Sequence, residues 1–147
     1  MNPSDLTQRP PRSPRTRLGG FVILPRMLDK GRAVIAGTNG EYNYNCPLDQ
    51  RFLDFAGIDA EALKQQLAAG KGDGDILQWV LDNAKNKPSE PATAEWSAFV
   101  ERRAPLDIES RQFFNEMQSK VAPAREDIGT WFDLLELDDY VSFGGKP

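Results

Sequence analysis

Hydrophobic positions recur along most of the chain at the spacing of an α-helix, and this pattern predicts about seven short helices. The first is expected to begin at Pro25 and to end at Gly37, because proline suits a first turn and glycine a last one. No stretch of strand length shows alternating β-branched residues. The predicted fold is therefore all-α, a single compact domain of about seven short helices. The expected buried face of the first helix has five positions: Leu24, Met27, Leu28, Gly31 and Ile35.

Glycine, proline and capping residues set the expected limits of the other helices. Pro47 begins the second helix and Gly57 ends it, while Asp59 caps the third helix and Gly70 ends it. Gly31 is costly inside a helix, so we expect another backbone to pack close to it. The later helices are expected at Asp75–Lys85 with Asp73 or Asp75 as the cap, from a Thr93 cap to Pro105, from an Asp107 cap to Pro123, and at Ile128–Leu137 with a turn at Asp138 and Asp139. Their apolar positions include Leu81, Phe99 and Phe113.

Residues 1–17 form a basic, proline-rich arm that cannot hold a helix. We expect an extended segment that is either mobile or laid across a domain of residues 18–147. Two functions fit the arm: it binds phosphate groups, or its arginines dock it on the acidic body of the protein. The second is favoured, because the arm has no aromatic residue on which bases would stack.

Composition excludes several chemistries. The chain has no histidine, which removes the imidazole group as a general base, zinc ligand or haem ligand. One cysteine excludes an internal disulfide and fits a reducing cytoplasm. The net charge of −4 argues against nucleic acid as a partner, and no apolar run is long enough to span a membrane. We expect a cytoplasmic monomer that requires no metal and no cofactor.

The first predicted helix carries charged residues outside its apolar face. Asp29 lies three positions from both Arg26 and Arg32, so one carboxylate can meet two guanidinium groups. The three residues are either a solvated series of ion pairs or a face that binds anions.

The next segment supplies the remaining candidate site residues. Tyr42 and Tyr44 alternate with Glu41 and Asn45, which predicts an extended segment with one ring face and one hydrogen-bonding face. Glu41 and a tyrosine can act as an acid–base pair, or the cluster is a satisfied polar network. Cys46 lies at the expected start of the second helix, where a thiol is either an activated nucleophile or an inert cap.

Several short strings make the chain resemble a known family. They are PPRSPR, LGG and LPR near the start, YNCPLDQ in the first half, and WFDLL, DD and SFGG at the end. With these strings the chain resembles, over essentially its whole length, the bacterial family catalogued as domain of unknown function 5069. The resemblance implies a standalone bacterial domain of this size and implies nothing about a substrate.

Three functions therefore remain open. The first is a small soluble module that binds a polar or anionic small ligand at Arg26, Arg32, Tyr42 and Asn45. The second is a protein–protein interaction domain, and the third is a histidine-free enzyme that uses Glu41, Tyr44 or Cys46. A deep pocket beside residues 41–46 would favour the first or the third, whereas a flat, exposed apolar patch would favour the second.

Overall fold

The computed structural model of the protein describes residues 2–147, which form seven α-helices and no β-strand. The all-α prediction is confirmed. None of the helices in this described range has both the length and the apolar composition needed to cross a membrane. In chain order the helices are α1 (Leu24–Ala36), α2 (Pro47–Ala56), α3 (Ala60–Ala68), α4 (Asp73–Asn83), α5 (Glu90–Glu101), α6 (Ile108–Val121) and α7 (Trp131–Ser142).

The contacts of the chain group into two compact units, one ending at Ser97 and one running from Ala98 to Pro147. In the first unit α1 packs against α2 and α3. Every residue from 21 to 28 is buried there. The ring of Phe21 lies edge-on to that of Phe52, with centroids 5.2 Å apart. The chain leading into α1 is thus the centre of this unit.

Neighbouring side chains approach α1 closely at Gly31. A Cβ atom at this position would lie 2.5 Å from Cδ1 of Leu67 and 3.2 Å from Cδ2 of Tyr44. The expected close approach is present. However, the atoms close to Gly31 belong to side chains and not to another backbone. Ile35, expected on the buried face, is 43% exposed because it lies in the last turn of the helix.

Several helix ends follow the expected chemistry. Gly37 and Gly57 end α1 and α2 in the left-handed conformation, each with φ of 75°. Asp59 caps α3, since its side chain accepts a hydrogen bond from the backbone N–H of Ala62 at 2.9 Å. Asp107 caps α6 through a capping box with Ser110.

The limits of three other helices were predicted wrongly. The N-cap of α4 is Gly72, so Asp73 and Asp75 lie inside the first turn. Helix α5 begins three residues before Thr93, because Ser89 Oγ accepts a hydrogen bond from the backbone N–H of Ala92 at 3.2 Å. Helix α7 begins later than expected, at the residue after a Thr130 cap. It continues through Asp138 and Asp139, where a turn was expected.

The second unit is built on the packing of α6 against α7. The ring of Trp131 lies edge-on to that of Phe114 at a centroid distance of 5.2 Å. The buried apolar side chains of this core are Phe114, Ala122, Ile128, Leu134 and Leu137.

Residues 2–17 lie on the first unit. The side chain of Leu6 is only 1% exposed, and its backbone N–H donates to the carbonyl of Thr38 at 2.8 Å. The backbone N–H of Ile23 donates to the carbonyl of Pro14 at 2.9 Å. This bond ties the arm to the start of α1, where Ile23 has the unusual φ of 74° for a β-branched residue. The arm is laid across the body, and the division into residues 1–17 and 18–147 stays a prediction.

Candidate functional site

The charged residues of α1 are buried or half-buried, and the arm contacts Arg26 and Asp29. Asp29 accepts three hydrogen bonds from Arg12: from the backbone N–H at 2.9 Å, from Nε at 3.0 Å and from Nη2 at 2.9 Å. Arg12 also donates from Nη1 to Oδ2 of Asp73 at 2.7 Å. One arginine of the arm therefore joins a carboxylate of α1 to a carboxylate of α4.

Arg32 of α1 also binds the carboxylate of Asp73. Its Nη1 donates to Oδ1 of Asp73 at 2.8 Å, and its Nη2 donates to the carbonyl of Lys71 at 3.1 Å. The carboxylate that Arg32 contacts is thus Asp73, whereas the sequence analysis expected Asp29. We call Arg12, Asp29, Arg32 and Asp73 the arm network.

The two arginines hold Asp73 in its charged form. Burial alone would raise the pKa of Asp73, but the hydrogen bonds from Arg12 and Arg32 outweigh burial and bring the pKa below its usual value. The guanidinium of Arg12 responds in the opposite sense. Burial opposes its charge, yet the hydrogen bonds to Asp73 and Asp29 raise its pKa.

Arg26 lies between the arm and the segment of residues 41–46. Its side chain is only 4% exposed, and Nη1 donates to the carbonyl of Arg12 at 3.2 Å. The guanidinium carbon lies 5.5 Å from the centroid of the Tyr42 ring, within the range of a cation–π interaction. Arg26 and Tyr42, predicted to share a site, are therefore in contact.

Side-chain exposure alternates along the segment after α1 as predicted, but the backbone is not extended throughout, because it turns at Asn45, which has a φ of 62°. Tyr42, Tyr44 and Cys46 are half-buried, whereas Glu41 and Asn45 are exposed. The hydroxyl of Tyr44 donates to the carbonyl of Ala60 at 2.7 Å. Burial, followed by the nearby carboxylate of Asp49, raises the pKa of Tyr44. Its phenol is consequently a fixed hydrogen-bond donor and a poor candidate for proton transfer at neutral pH.

Below this segment lies a buried ion pair that the sequence analysis did not identify. Lys30 Nζ donates to Oδ1 of Asp49 at 2.9 Å, and both side chains are almost fully buried. The same ammonium group lies 3.2 Å from Sγ of Cys46. Oδ2 of Asp49 accepts from the backbone N–H of Asn45 at 2.9 Å. The thiol of Cys46 therefore lies beside the ammonium group of Lys30, which the carboxylate of Asp49 already binds.

Of the two members of this pair, only Asp49 could be singled out from the sequence. Asp49 lies in the first turn of α2, where an acidic residue ordinarily bonds to free N–H groups of the helix start. Lys30 gave no such signal, because its partner lies 19 residues away.

The polar groups of this region are satisfied by one another. Over residues 2–147, no buried side-chain nitrogen or oxygen lacks a hydrogen-bond partner. In the same range, no group of three or more cysteine, aspartate or glutamate side chains is arranged to hold a metal ion. The arrangement fits internal bracing, and an anionic ligand would have to displace Asp29 or Asp73 to reach Arg12 or Arg32.

Two cavities lie away from the predicted site residues. The cavity in the first unit has a volume of about 320 Å³ and is lined by Phe21, Leu81, Asp82, Ala84, Lys87 and Pro88. The cavity in the second unit has a volume of about 340 Å³. We call it the α7 cavity, because four of its lining residues belong to α7. Binding at the predicted residues stays a prediction.

The second unit also exposes large apolar side chains around the start of α6. Leu106 is 94% exposed and Ile108 is 78% exposed. Phe113 is 56% exposed, and its ring lies 6.4 Å from that of Trp131. Phe99, at the end of α5, is 60% exposed. We call Phe99, Leu106, Ile108 and Phe113 the apolar surface of the second unit.

Comparison with known proteins assigns the chain to a family. The chain belongs to the family described as domain of unknown function DUF5069, whose model matches residues 8–141. The resemblance drawn from the sequence strings is thereby confirmed. No curated protein matches the chain.

Proposed function

We propose that this protein is a protein–protein interaction domain that docks its partner on the apolar surface of the second unit. The observation that carries the proposal is the exposure of Leu106 and Ile108, at 94% and 78%. Scattered apolar residues are common on protein surfaces, but contiguous exposed apolar patches are typical of interaction sites, and Leu106 and Ile108 are close neighbours in the chain.

The local chain geometry brings two of these side chains close together and links a third to the core of the unit. Leu106 and Ile108 are two residues apart on either side of the α6 cap. Phe113 begins a series on α6 that continues one turn later with Met117, which is half-buried against the core. The ring of Trp131 lies beside Phe113. Apolar atoms thus continue from the exposed surface towards the core of the unit.

The size of the surface favours a short segment of another protein over a second copy of this chain. Its four side chains together expose on the order of 500 Å². A stable interface of standard size buries roughly 800 Å² on each partner, and obligate dimers bury more. A short apolar segment needs less, so we infer a monomer that binds such a segment.

Charge supports the same kind of partner. The exposed charged side chains within three residues of the surface in the sequence are Arg102, Asp107, Glu109, Arg111 and Glu116. Two are basic and three are acidic, so charges of both signs border the surface and it does not select a polyanion. The partner segment is therefore apolar at its centre, with charges of both signs at its edges.

We also propose that the protein is bacterial and cytoplasmic, as the sequence analysis expects.

The other two functions have less support. A small anionic ligand at Arg26 and Arg32 would compete with the arm network. An enzyme that used Tyr44 would need this residue to exchange a proton that it donates to Ala60, and one that used Glu41 or Cys46 has no further observation in its favour. Both stay predictions that rank behind protein binding.

The proposal is tested with a Leu106→Ser/Ile108→Ser double variant. The control is Leu81→Ser, which changes an apolar residue that is 50% exposed in the first unit. Proteins retained by the immobilised parent chain are identified, purified and titrated against all three chains by calorimetry. We expect the double variant to raise the dissociation constant at least about tenfold, because exposed apolar anchors dominate interface energies.

Two outcomes contradict the proposal. One is that the parent and the double variant bind each purified protein with equal affinity. The other is that the parent chain dimerises in sedimentation experiments and the double variant does not, which assigns the surface to a second copy.

A further inference from the structure

Lys30 and Cys46 bring two reactive side chains into contact where α1 meets the start of α2. Nζ of Lys30 lies 3.2 Å from Sγ of Cys46. Cys46 is the N-cap residue of α2, but its side chain makes no capping hydrogen bond to the helix. The sulfur atom is therefore engaged with the lysine and not with the backbone of its own helix.

The two side chains differ in their access to solvent. Lys30 is 3% exposed, whereas Cys46 is half-buried. A small oxidant can thus reach the sulfur atom, while the nitrogen atom of Lys30 stays fixed behind it. Thiol oxidation follows exposure, and its first product is a sulfenic acid, which reacts onward with a nearby thiol or nitrogen atom.

The structure leaves Lys30 as the partner for such a sulfenic acid. The chain has no second cysteine, so no disulfide can form within it. The next residue is Pro47, which has no backbone N–H that could react. The backbone N–H before the cysteine, that of Asn45, donates to Oδ2 of Asp49 at 2.9 Å.

We propose that Lys30 and Cys46 are an oxidation site, at which hydrogen peroxide joins Nζ to Sγ through one bridging oxygen atom. The gap of 3.2 Å is longer than a direct sulfur–nitrogen bond, and one inserted oxygen atom fills it with little movement of either side chain. The bridge ties α1 covalently to the start of α2 and closes the segment between residues 30 and 46 into a loop. This site does not depend on the protein-docking proposal.

Asp49 supplies the proton acceptor that the step needs, because an ammonium nitrogen cannot react until it loses a proton. Oδ1 of Asp49 lies 2.9 Å from Nζ of Lys30, and both side chains are almost fully buried. The proton passes from Lys30 to this carboxylate and stays there. Both members of the ion pair become neutral together, so no uncompensated charge is left buried.

The reaction balances with hydrogen peroxide as the oxidant. One peroxide molecule oxidises the thiol of Cys46 to a sulfenic acid and releases water. A second oxidises the amine of Lys30 to a hydroxylamine and releases water. The hydroxylamine oxygen then bonds to the sulfur atom, and the hydroxyl group of the sulfenic acid leaves as a third water molecule. Sulfur and nitrogen each lose two electrons, which reduce the two peroxide molecules.

The test treats the purified full chain with hydrogen peroxide and identifies its peptides by mass spectrometry. We expect the peptides that hold Lys30 and Cys46 to be joined, with a gain of one oxygen atom and a loss of two hydrogen atoms. Dithiothreitol should separate them and restore the thiol, because a thiolate attacks the oxidised sulfur atom. The same treatment in concentrated urea should give no joined peptides, because unfolding separates the two side chains.

A matched pair of variants tests the role of the nitrogen atom. Lys30→Arg keeps a positive charge beside Asp49 but has no amine that can form the bridge, whereas Lys64→Arg changes a half-buried lysine of α3. Lys64→Arg should form as much bridge as the parent. Lys30→Arg should form none, and its thiol should pass to a sulfinic acid that dithiothreitol does not restore.

Thermal melting checks that both variants fold, and the joined peptides of the parent chain identify the nitrogen atom even if Lys30→Arg does not. Three results would overturn the proposal. They are oxygen added to Cys46 with no joined peptides, a joined peptide that contains a nitrogen atom other than that of Lys30, and equal formation of the bridge in urea.

Discussion

Single residues in α1 show how this helix tolerates so much buried charge. Lys30 is 3% exposed and Asp49 is fully buried, yet each has the other as a partner. Removing one member of such a pair commonly costs about 3–5 kcal/mol, because the remaining charge is left buried and uncompensated. The charge of Lys30 is therefore a structural requirement that couples α1 to the start of α2.

Gly31, the next residue, gives a prediction at the same scale. Gly31→Leu should lower the free energy of unfolding by about 1–3 kcal/mol, because its side chain would be forced against Leu67 and Tyr44. The matched control is Gly74→Leu, which is also inside a helix but has no atom within 4 Å of an added Cβ. That control should be neutral or slightly stabilising, since leucine is the better helix former. Urea denaturation measures both, and equal stability of the parent and Gly31→Leu would refute the packing.

At the level of elements, the arm network joins the arm to α1. The sequence predicted the buried face of α1 except Ile35, the caps at Asp59 and Asp107, and the glycine ends of α1 and α2, because these depend on residues only a few positions apart. It did not predict that Ala69, and not Gly70, is the C-cap of α3. It did not predict the partners of Arg12, which lie 17 and 61 residues away. Side-chain pairing at that range depends on the tertiary fold, which no local spacing encodes.

The arm network makes the free energy of unfolding depend on pH. The pKa of Asp73 is lower in the folded protein than its value of about 3.9 in an unfolded chain. The charged carboxylate of Asp73 therefore stabilises the folded protein at pH values above about 3.9. The contribution is lost as the pH falls through the lower, folded value. The free energy of unfolding should therefore fall between about pH 5 and pH 2, and Asp73→Asn should remove part of this dependence.

The control for this prediction is Asp75→Asn, an exposed carboxylate in the same turn of α4. Urea denaturation at a series of pH values compares the two variants with the parent. Parallel pH profiles for Asp73→Asn and the parent chain would show that the ion pairs with Arg12 and Arg32 add nothing to stability.

For the whole molecule, the fold class was predicted from the sequence, whereas the proposed docking surface was not predicted. Helical periodicity identifies apolar positions, but it does not tell whether the protein itself covers them. Phe99 and Phe113 fall on apolar stripes and are nevertheless more than half exposed. Conversely, Arg26 and Arg32 were placed outside the apolar face of α1 and are nevertheless buried. The candidate site was predicted from unusual residues whose role in the structure is to bind one another.

Site-specific photo-crosslinking tests the central proposal most directly. A benzoylphenylalanine residue replaces Leu106, which is 94% exposed, and in a separate chain it replaces Leu81 as the control. We predict that irradiation in the cells that make the protein joins position 106, and not position 81, covalently to another protein. No adduct at position 106, the same adducts from both positions, or an adduct of only two copies of this chain would contradict the account.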